Sequence, residues 1–205
     1  MKKTRFSIGI LFFICGLNFA TWATRIPDFK TYLHLSDAQL GTVLMGLPIG
    51  SLVSLPIAGW LLTKYASRWI CIMAVAMYVI VIPSLSLMNS AISLFIGLFF
   101  FGMVGDIMNI AMNTQVVSLE AKMNKIIMSS FHAVFSIGLM SGAFLGGILE
   151  RANFSTQEHF GLVALSNVLL IPFSIRNLLT DRPVQDENKP KSSIVNLGPY
   201  LIILS

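Results

Sequence analysis

The sequence predicts an all-α polytopic membrane protein of six transmembrane helices plus the start of a seventh. Three observations predict it. Six long apolar stretches run through the chain, each meeting or nearly meeting the length of about 20 residues that a helix needs to cross a hydrocarbon core of about 30 Å. None alternates with period two, and lipid admits only helices or closed barrels, which alone satisfy their own backbone polar groups. The composition agrees, with 55% hydrophobic and 11% charged residues against about 25% charged in an ordinary globular domain.

The first stretch, Phe6–Ala23, follows Met1-Lys2-Lys3 and ends in Ala20-Thr21-Trp22-Ala23. This mimics a cleavable secretory signal. Five more spans follow, and removing the first would reverse the charge logic of the chain, so it reads as an uncleaved span. Thr24–Gln39 is a polar loop of balanced charge. The second stretch is Leu40–Leu62, with Pro48 and Pro56 placed to bend it. The third is Trp69–Met88, the fourth Ile92–Leu119, the fifth Met128–Leu149 and the sixth His159–Ile175. Residues 1–175 thus form one six-helix bundle. Residues 176–198 carry prolines and mixed charge, a composition that cannot bury a core and reads as a cytoplasmic linker. Residues 199–205, within Gly198-Pro199-Tyr200-Leu201-Ile202-Ile203-Leu204-Ser205, read as the truncated start of a further helix.

Charge sets the orientation. The net charge is +5, but the basic residues flank the apolar stretches, so they are topology signals and not a nucleic-acid surface. With the N-terminus in the cytoplasm, only Arg25, Lys30 and Arg151 of the 14 Lys and Arg fall outside. That asymmetry follows the positive-inside rule. Cys15 and Cys71 both lie in spans and read as packing residues, with no disulfide framework and no metal spacing.

Two patterns inside the spans carry information. Gly138, Gly142 and Gly146 recur at spacing four, with Gly147 beside them, and Gly46 and Gly50 repeat the spacing in the second span. Small residues at that spacing let two backbones approach closely in lipid. The other pattern is polar. Asp106 is the only acid deep within a span. A charge there costs about 2.5–3.5 kcal/mol on insertion scales, so it is expected to face a cavity and to gain and lose a proton. Asn109 and Asn113 follow it on one helix face, and Asn18, Trp22 and Arg25 share a face of the first span. His132 stands among apolar neighbours in the fifth, with Ser129 and Ser136 nearby, whereas the sixth has only Ser166 and Asn167 in its middle. Polarity therefore concentrates on spans one, four and five, as expected of an internal cavity. Hydrogen bonding between helices is the structural alternative, and for Arg25 an interfacial anchor explains the position equally well.

These residues resemble a family. Ile26-Pro27-Asp28-Phe29 with Leu35-Ser36-Asp37-Ala38-Gln39-Leu40-Gly41, Pro56-Ile57-Ala58-Gly59, Asn109-Ile110-Ala111-Met112-Asn113 and Phe131-His132-Ala133-Val134-Phe135-Ser136-Ile137-Gly138 are similar to signatures of the major facilitator superfamily, nearest its fucose-permease-like branch of sugar–proton symporters. The chain departs from that branch at Asn109, where the span-four acid would stand, at Thr114 in place of a proline, and at Ala23 in place of a span-one acid. Gly59, Leu61, Lys64 and Arg68 resemble the superfamily's cytoplasmic latch loop, with Thr63 at its acidic position. Gly138-x-x-x-Gly142-Ala143-x-x-Gly146-Gly147 also resembles the antiporter signature.

The resemblance implies two three-helix repeats in inverted topology and a solute site near the bilayer midplane, lined by spans one and four with spans three and six outside. It implies secondary transport of a small polar solute, a sugar among the candidates, across a bacterial inner membrane. Asp106 is the expected proton carrier. Asn18, Trp22, Arg25, Asn109, Asn113 and His132 are the expected solute contacts, Gly59, Lys64 and Arg68 the latch, and Gly138, Gly142 and Gly146 the packing stripe. No cofactor and no metal is expected. One bundle forms one wall of such a cavity, so the chain reads as a truncated half. Its expected partners are lipid, solute, proton and a second six-helix half, supplied in cis, in trans or by a homodimer. The rivals are a drug–proton antiporter half and a non-transporting membrane sensor or assembly factor. An enzyme is not indicated, because no nucleophile–base pair, metal spacing or phosphate loop is present.

Overall fold

The computed structural model describes residues 1–180. They form eight helices: α1 (Lys2–Thr24), α2 (Ile26–Tyr32), α3 (Asp37–Leu44), α4 (Gly46–Lys64), α5 (Ser67–Leu85), α6 (Ala91–Met123), α7 (Met128–Arg151) and α8 (Thr156–Ile175). Six membrane spans result, because α1 with α2 and α3 with α4 are each one broken helix. The chain is an all-α polytopic membrane protein. The seventh-helix start and the linker beyond residue 180 lie outside the described residues.

The two breaks have local causes. Arg25 leaves helical geometry at φ −101°, ψ 5°, and Pro27 sits in the first turn of α2, where its missing N–H costs nothing. The stretch expected as a loop from Thr24 therefore continues as helix to Tyr32. The second break falls at Met45, and Pro48 just beyond it cannot donate to the carbonyl of Leu44. α3, α6 and α8 each begin with a capping box, Ser36 with Gln39, Ser90 with Ser93 and Ser155 with Glu158. Glu120 supplies the corresponding service to α7, its Oε1 accepting from the backbone N–H groups of Ile127 and Met128 at 2.6 and 2.7 Å.

Packing follows an internal symmetry. The two most extensive helix interfaces are α1 with α7 and α4 with α6. Exchanging spans one to three with spans four to six turns one of these pairs into the other. It also turns α5–α6 into α8–α1 and leaves α5–α8 and α1–α6 in place, all of which are observed. Three-helix units three spans apart run in opposite directions, so the repeat is inverted. The glycines obey the same exchange. Gly138 and Gly142 lie against α1 at Phe13 and Leu17, and Gly46 and Gly50 lie against α6 at Phe95 and Phe99. From the facing helices, Gly16 meets Phe135 and Gly102 meets Leu47. At each place a Cβ would run into backbone, so only glycine permits the approach. Gly146 continues the stripe against Thr24.

The helices form an open ring in the order α7–α1–α8–α5–α6–α4, with α1 and α6 touching across it. α1 is the most enclosed helix, and α4 and α7, at the ends of the ring, are the least. The opening lies between those two. Beyond α8 the chain turns back onto the bundle. Leu178 is buried, and Gln115 on α6 donates to Leu179 O at 2.9 Å and accepts from Leu179 N at 2.8 Å. The first residues of the expected linker are therefore docked.

Candidate functional site

Asp106 lies on α6 where the ring is open. A cavity of about 360 Å³ surrounds it, walled by Phe12, Cys15 and Phe19 of α1, Leu47 and Ser51 of α4, Tyr78 of α5, and His132 and Phe135 of α7. α6 contributes its floor, including Phe101, Gly105, Asn109 and Met112. The ring order explains why. α1 and α6 meet at the centre, so the faces they turn toward the gap between α4 and α7 become the floor of a groove.

Polar groups in this groove are few and specifically held. Asp106 Oδ2 accepts from Ser54 Oγ at 2.8 Å, and Ser54 also lies 2.6 Å from Ser51 O, so its single proton is shared. Asn113 Nδ2 donates to Asn109 Oδ1 at 3.1 Å. That bond leaves the Asn109 amide N–H groups unengaged by it, one turn from the carboxylate. Asn113 itself stands behind Asn109 and does not line the cavity; its Oδ1 is buried without a partner among the described residues. His132 is exposed and stands edge-on to Phe12, with ring centroids 5.6 Å apart. Together the groove offers a carboxylate acceptor, amide donors and acceptors and an imidazole, all against aromatic walls.

Tyr78 reaches the groove from α5 because Gly105 lets it in. A Cβ on Gly105 would stand 2.6 Å from the Tyr78 hydroxyl. The hydroxyl lies 3.9 Å from Cys15 Sγ. Neither Tyr78 nor Ser54 stood out in the sequence. The single tyrosine in an otherwise apolar third span was the only available signal for the former, and the four-residue spacing of Gly50 and Ser54 for the latter.

The structure does not bring Asn18, Trp22 and Arg25 to this cavity. Their face of α1 is turned about a quarter of the way round the helix from Phe12, Cys15 and Phe19, toward α8. Asn18 forms a reciprocal amide pair with Asn167, whose Nδ2 donates to Asn18 Oδ1 at 2.8 Å, and both are fully buried. Trp22 packs on Phe29 at 5.3 Å. Arg25 is buried in a polar cluster. It donates to His159 Nδ1 at 3.0 Å, to Asp28 Oδ2 at 2.8 Å and to Phe154 O at 3.1 Å. Thr156 Oγ1 completes the cluster, donating to Asp28 at 3.0 Å. Here the alternative of bonding between helices describes the geometry: polarity shared with α8 is consumed there.

Gly59, Lys64 and Arg68 sit where α4 turns into α5. Gly59 has open space beside it, Lys64 Nζ lies 4.3 Å over the Trp60 ring, and Arg68 Cζ lies 5.9 Å from the Trp69 ring. Arg68 Nε is buried and has no hydrogen-bond partner among the described residues.

With this geometry in view, comparison with known proteins is decisive for the family. The profile of the Major Facilitator Superfamily matches residues 8–203. The chain belongs to that superfamily. An uncharacterized MFS-type transporter of Yersinia pestis is 38% identical over 142 residues, covering 69% of this chain and 36% of the relative. An uncharacterized transporter of Sinorhizobium fredii, y4wD, is 33% identical over 192 residues, covering 93% of this chain and 51% of the relative. The crystal structure of the nucleoside transporter NupG superposes with a TM-score of 0.72 at 15% identity, over 99% of this chain and 51% of that one, which is a likeness of fold. This superfamily member thus spans about a third to a half of the length of the relatives it matches. In the superfamily fold its open ring edge, between α4 and α7, is the side on which the Asp106 groove lies.

Proposed function

We propose that this chain forms one six-helix half of a secondary transporter of the fucose-permease-like branch, moving a small polyhydroxylated solute across a bacterial inner membrane by alternating access coupled to protons. One observation carries the reading: the deep acid Asp106, Asn109 and His132 all face one groove at the open edge of the ring, with Asn113 behind Asn109 as its hydrogen-bond donor. A carboxylate facing lipid would be costly, so this edge needs a cover. A second six-helix bundle, in cis, in trans or as a second copy, closes the groove into a chamber. Rocking of the two bundles then exposes the chamber to each side in turn.

In this mechanism Asp106 takes up a proton, with Ser54 donating to its ionised form. The free amide N–H groups of Asn109, whose oxygen is held by Asn113, and the His132 imidazole hydrogen-bond solute hydroxyls, and the aromatic walls pack on the apolar faces of a sugar ring. The N-terminus lies in the cytoplasm, as the Lys and Arg distribution indicates. The aromatic lining also supports a second reading, exchange of an amphipathic cation for a proton at the same carboxylate.

The test is uptake by proteoliposomes holding the chain together with its second bundle, with an imposed pH gradient and a panel of monosaccharides, nucleosides and aromatic cations. Asp106→Asn is expected to insert normally and to lose the acceleration of uptake by the imposed pH gradient. Unchanged acceleration in the variant removes Asp106 from coupling, and uptake of cations alone favours the second reading.

A further inference from the structure

The seam between α1 and α7 has two sides. The Asp106 groove lies on one. On the other, at the N-terminal end of α1, is a separate groove of about 510 Å³. Helical register separates them: Phe12, Cys15 and Phe19 of α1 face the first, whereas Phe6, Gly9 and Phe13 face the second. On α7 the corresponding division is His132 and Phe135 against Ser130 and Val134. A second bundle closing the Asp106 side therefore leaves this groove facing the bilayer.

Its chemistry is divided along its length. The body is apolar, and Gly9 forms a notch in it, since a Cβ there would meet nothing within 4 Å. The mouth carries two cations, Lys2 and Arg5, and no acid among the described residues lines it. Arg5 donates to Ser130 Oγ at 3.1 Å, and both Lys2 and Arg5 are exposed. Both stand at the first turn of a spanning helix, where headgroups lie. An apolar slot in the membrane with a cation pair at its interfacial end is complementary to an amphiphile with an anionic head and a hydrocarbon tail.

We propose that this groove is a binding site for an anionic phospholipid. The lipid phosphate sits between Lys2 and Arg5, and one acyl chain runs past Phe6 and over Gly9 toward Phe13. A zwitterionic lipid fits the slot equally well but brings its ammonium to the same two cations. The site is independent of what the Asp106 groove carries.

The test is native mass spectrometry of the full chain in nonionic detergent, titrated with phosphatidylglycerol or phosphatidylcholine. Each basic side chain near an anionic headgroup is worth about fivefold, so the wild type is expected to prefer phosphatidylglycerol by about 25-fold. The Lys2→Gln, Arg5→Gln double variant is expected to hold both lipids equally. Gly9→Leu places its side chain in the notch, starting from a Cβ that meets nothing within 4 Å, and is expected to lose both lipids at an unfolding temperature no lower than that of the wild type. Equal retention of the two lipids by the wild type overturns the proposal. So does a preference that survives the double variant, which places the headgroup elsewhere, or undiminished binding by Gly9→Leu, which places the chain elsewhere.

Discussion

Replacing Gly142 by Ala tests whether the α1–α7 seam is set by backbone contact. The new Cβ would stand 2.7 Å from Leu17 O and 2.9 Å from the Ala20 Cβ. Neither neighbour can rotate aside, because one is main chain and the other is a stub fixed to it. Reaching ordinary van der Waals distance requires α1 and α7 to part by about 0.7 Å. Forced expansion of a close-packed seam costs about 1–3 kcal/mol, and this seam is the largest in the bundle. The gain in helix propensity from Gly to Ala returns about 1 kcal/mol. A net loss of up to about 2 kcal/mol is expected. Gly147, five residues further along the same helix, has nothing within 4 Å of its Cβ position. The same substitution there has no seam to part and is expected to stabilise by up to about 1 kcal/mol. Reversible unfolding in mixed micelles, followed by circular dichroism, measures both. Equal stabilities of the two variants, or a Gly142→Ala variant firmer than the wild type, would refute the argument that backbone approach sets this seam.

Other consequences are as direct. Arg25→Met removes the donor to buried His159 Nδ1 and to the partly exposed Asp28 and Phe154 carbonyl, so unfolding should show a loss of about 1–3 kcal/mol. Arg25→Lys should recover little of it, since one ammonium cannot span three acceptors that a planar guanidinium reaches. Gln115→Leu removes both hydrogen bonds to Leu179 and leaves its N–H and carbonyl unpaired. The segment 178–180 should then undock, seen as faster amide exchange at Leu179 and faster tryptic cleavage after Arg176, with α1–α7 unaffected.

The spans were legible from one-dimensional signals because lipid imposes a length and a composition on anything that crosses it. The broken ends of spans one and two were less so. Apolar length does not record that Pro27 starts a helix as readily as it ends one. For the polar residues, helical periodicity groups Asp106 with Asn109 and Asn113, and Asn18 with Trp22 and Arg25. Periodicity identifies a face but not what the face meets. The α6 face meets the open edge of the ring, while the α1 face meets α8, where Asn167 and His159 wait for it.

Sequence by itself therefore determined the membrane class, the spans, the close-packing glycine spacing and the single deep acid, because each depends on local composition or on register within one helix. Only the tertiary structure decided which helices the glycines join, that Ser54 and Tyr78 stand at Asp106, and that Arg25 belongs to a buried cluster. Those facts depend on contacts between helices tens of residues apart, and the order of helices around the ring is not encoded in any one of them.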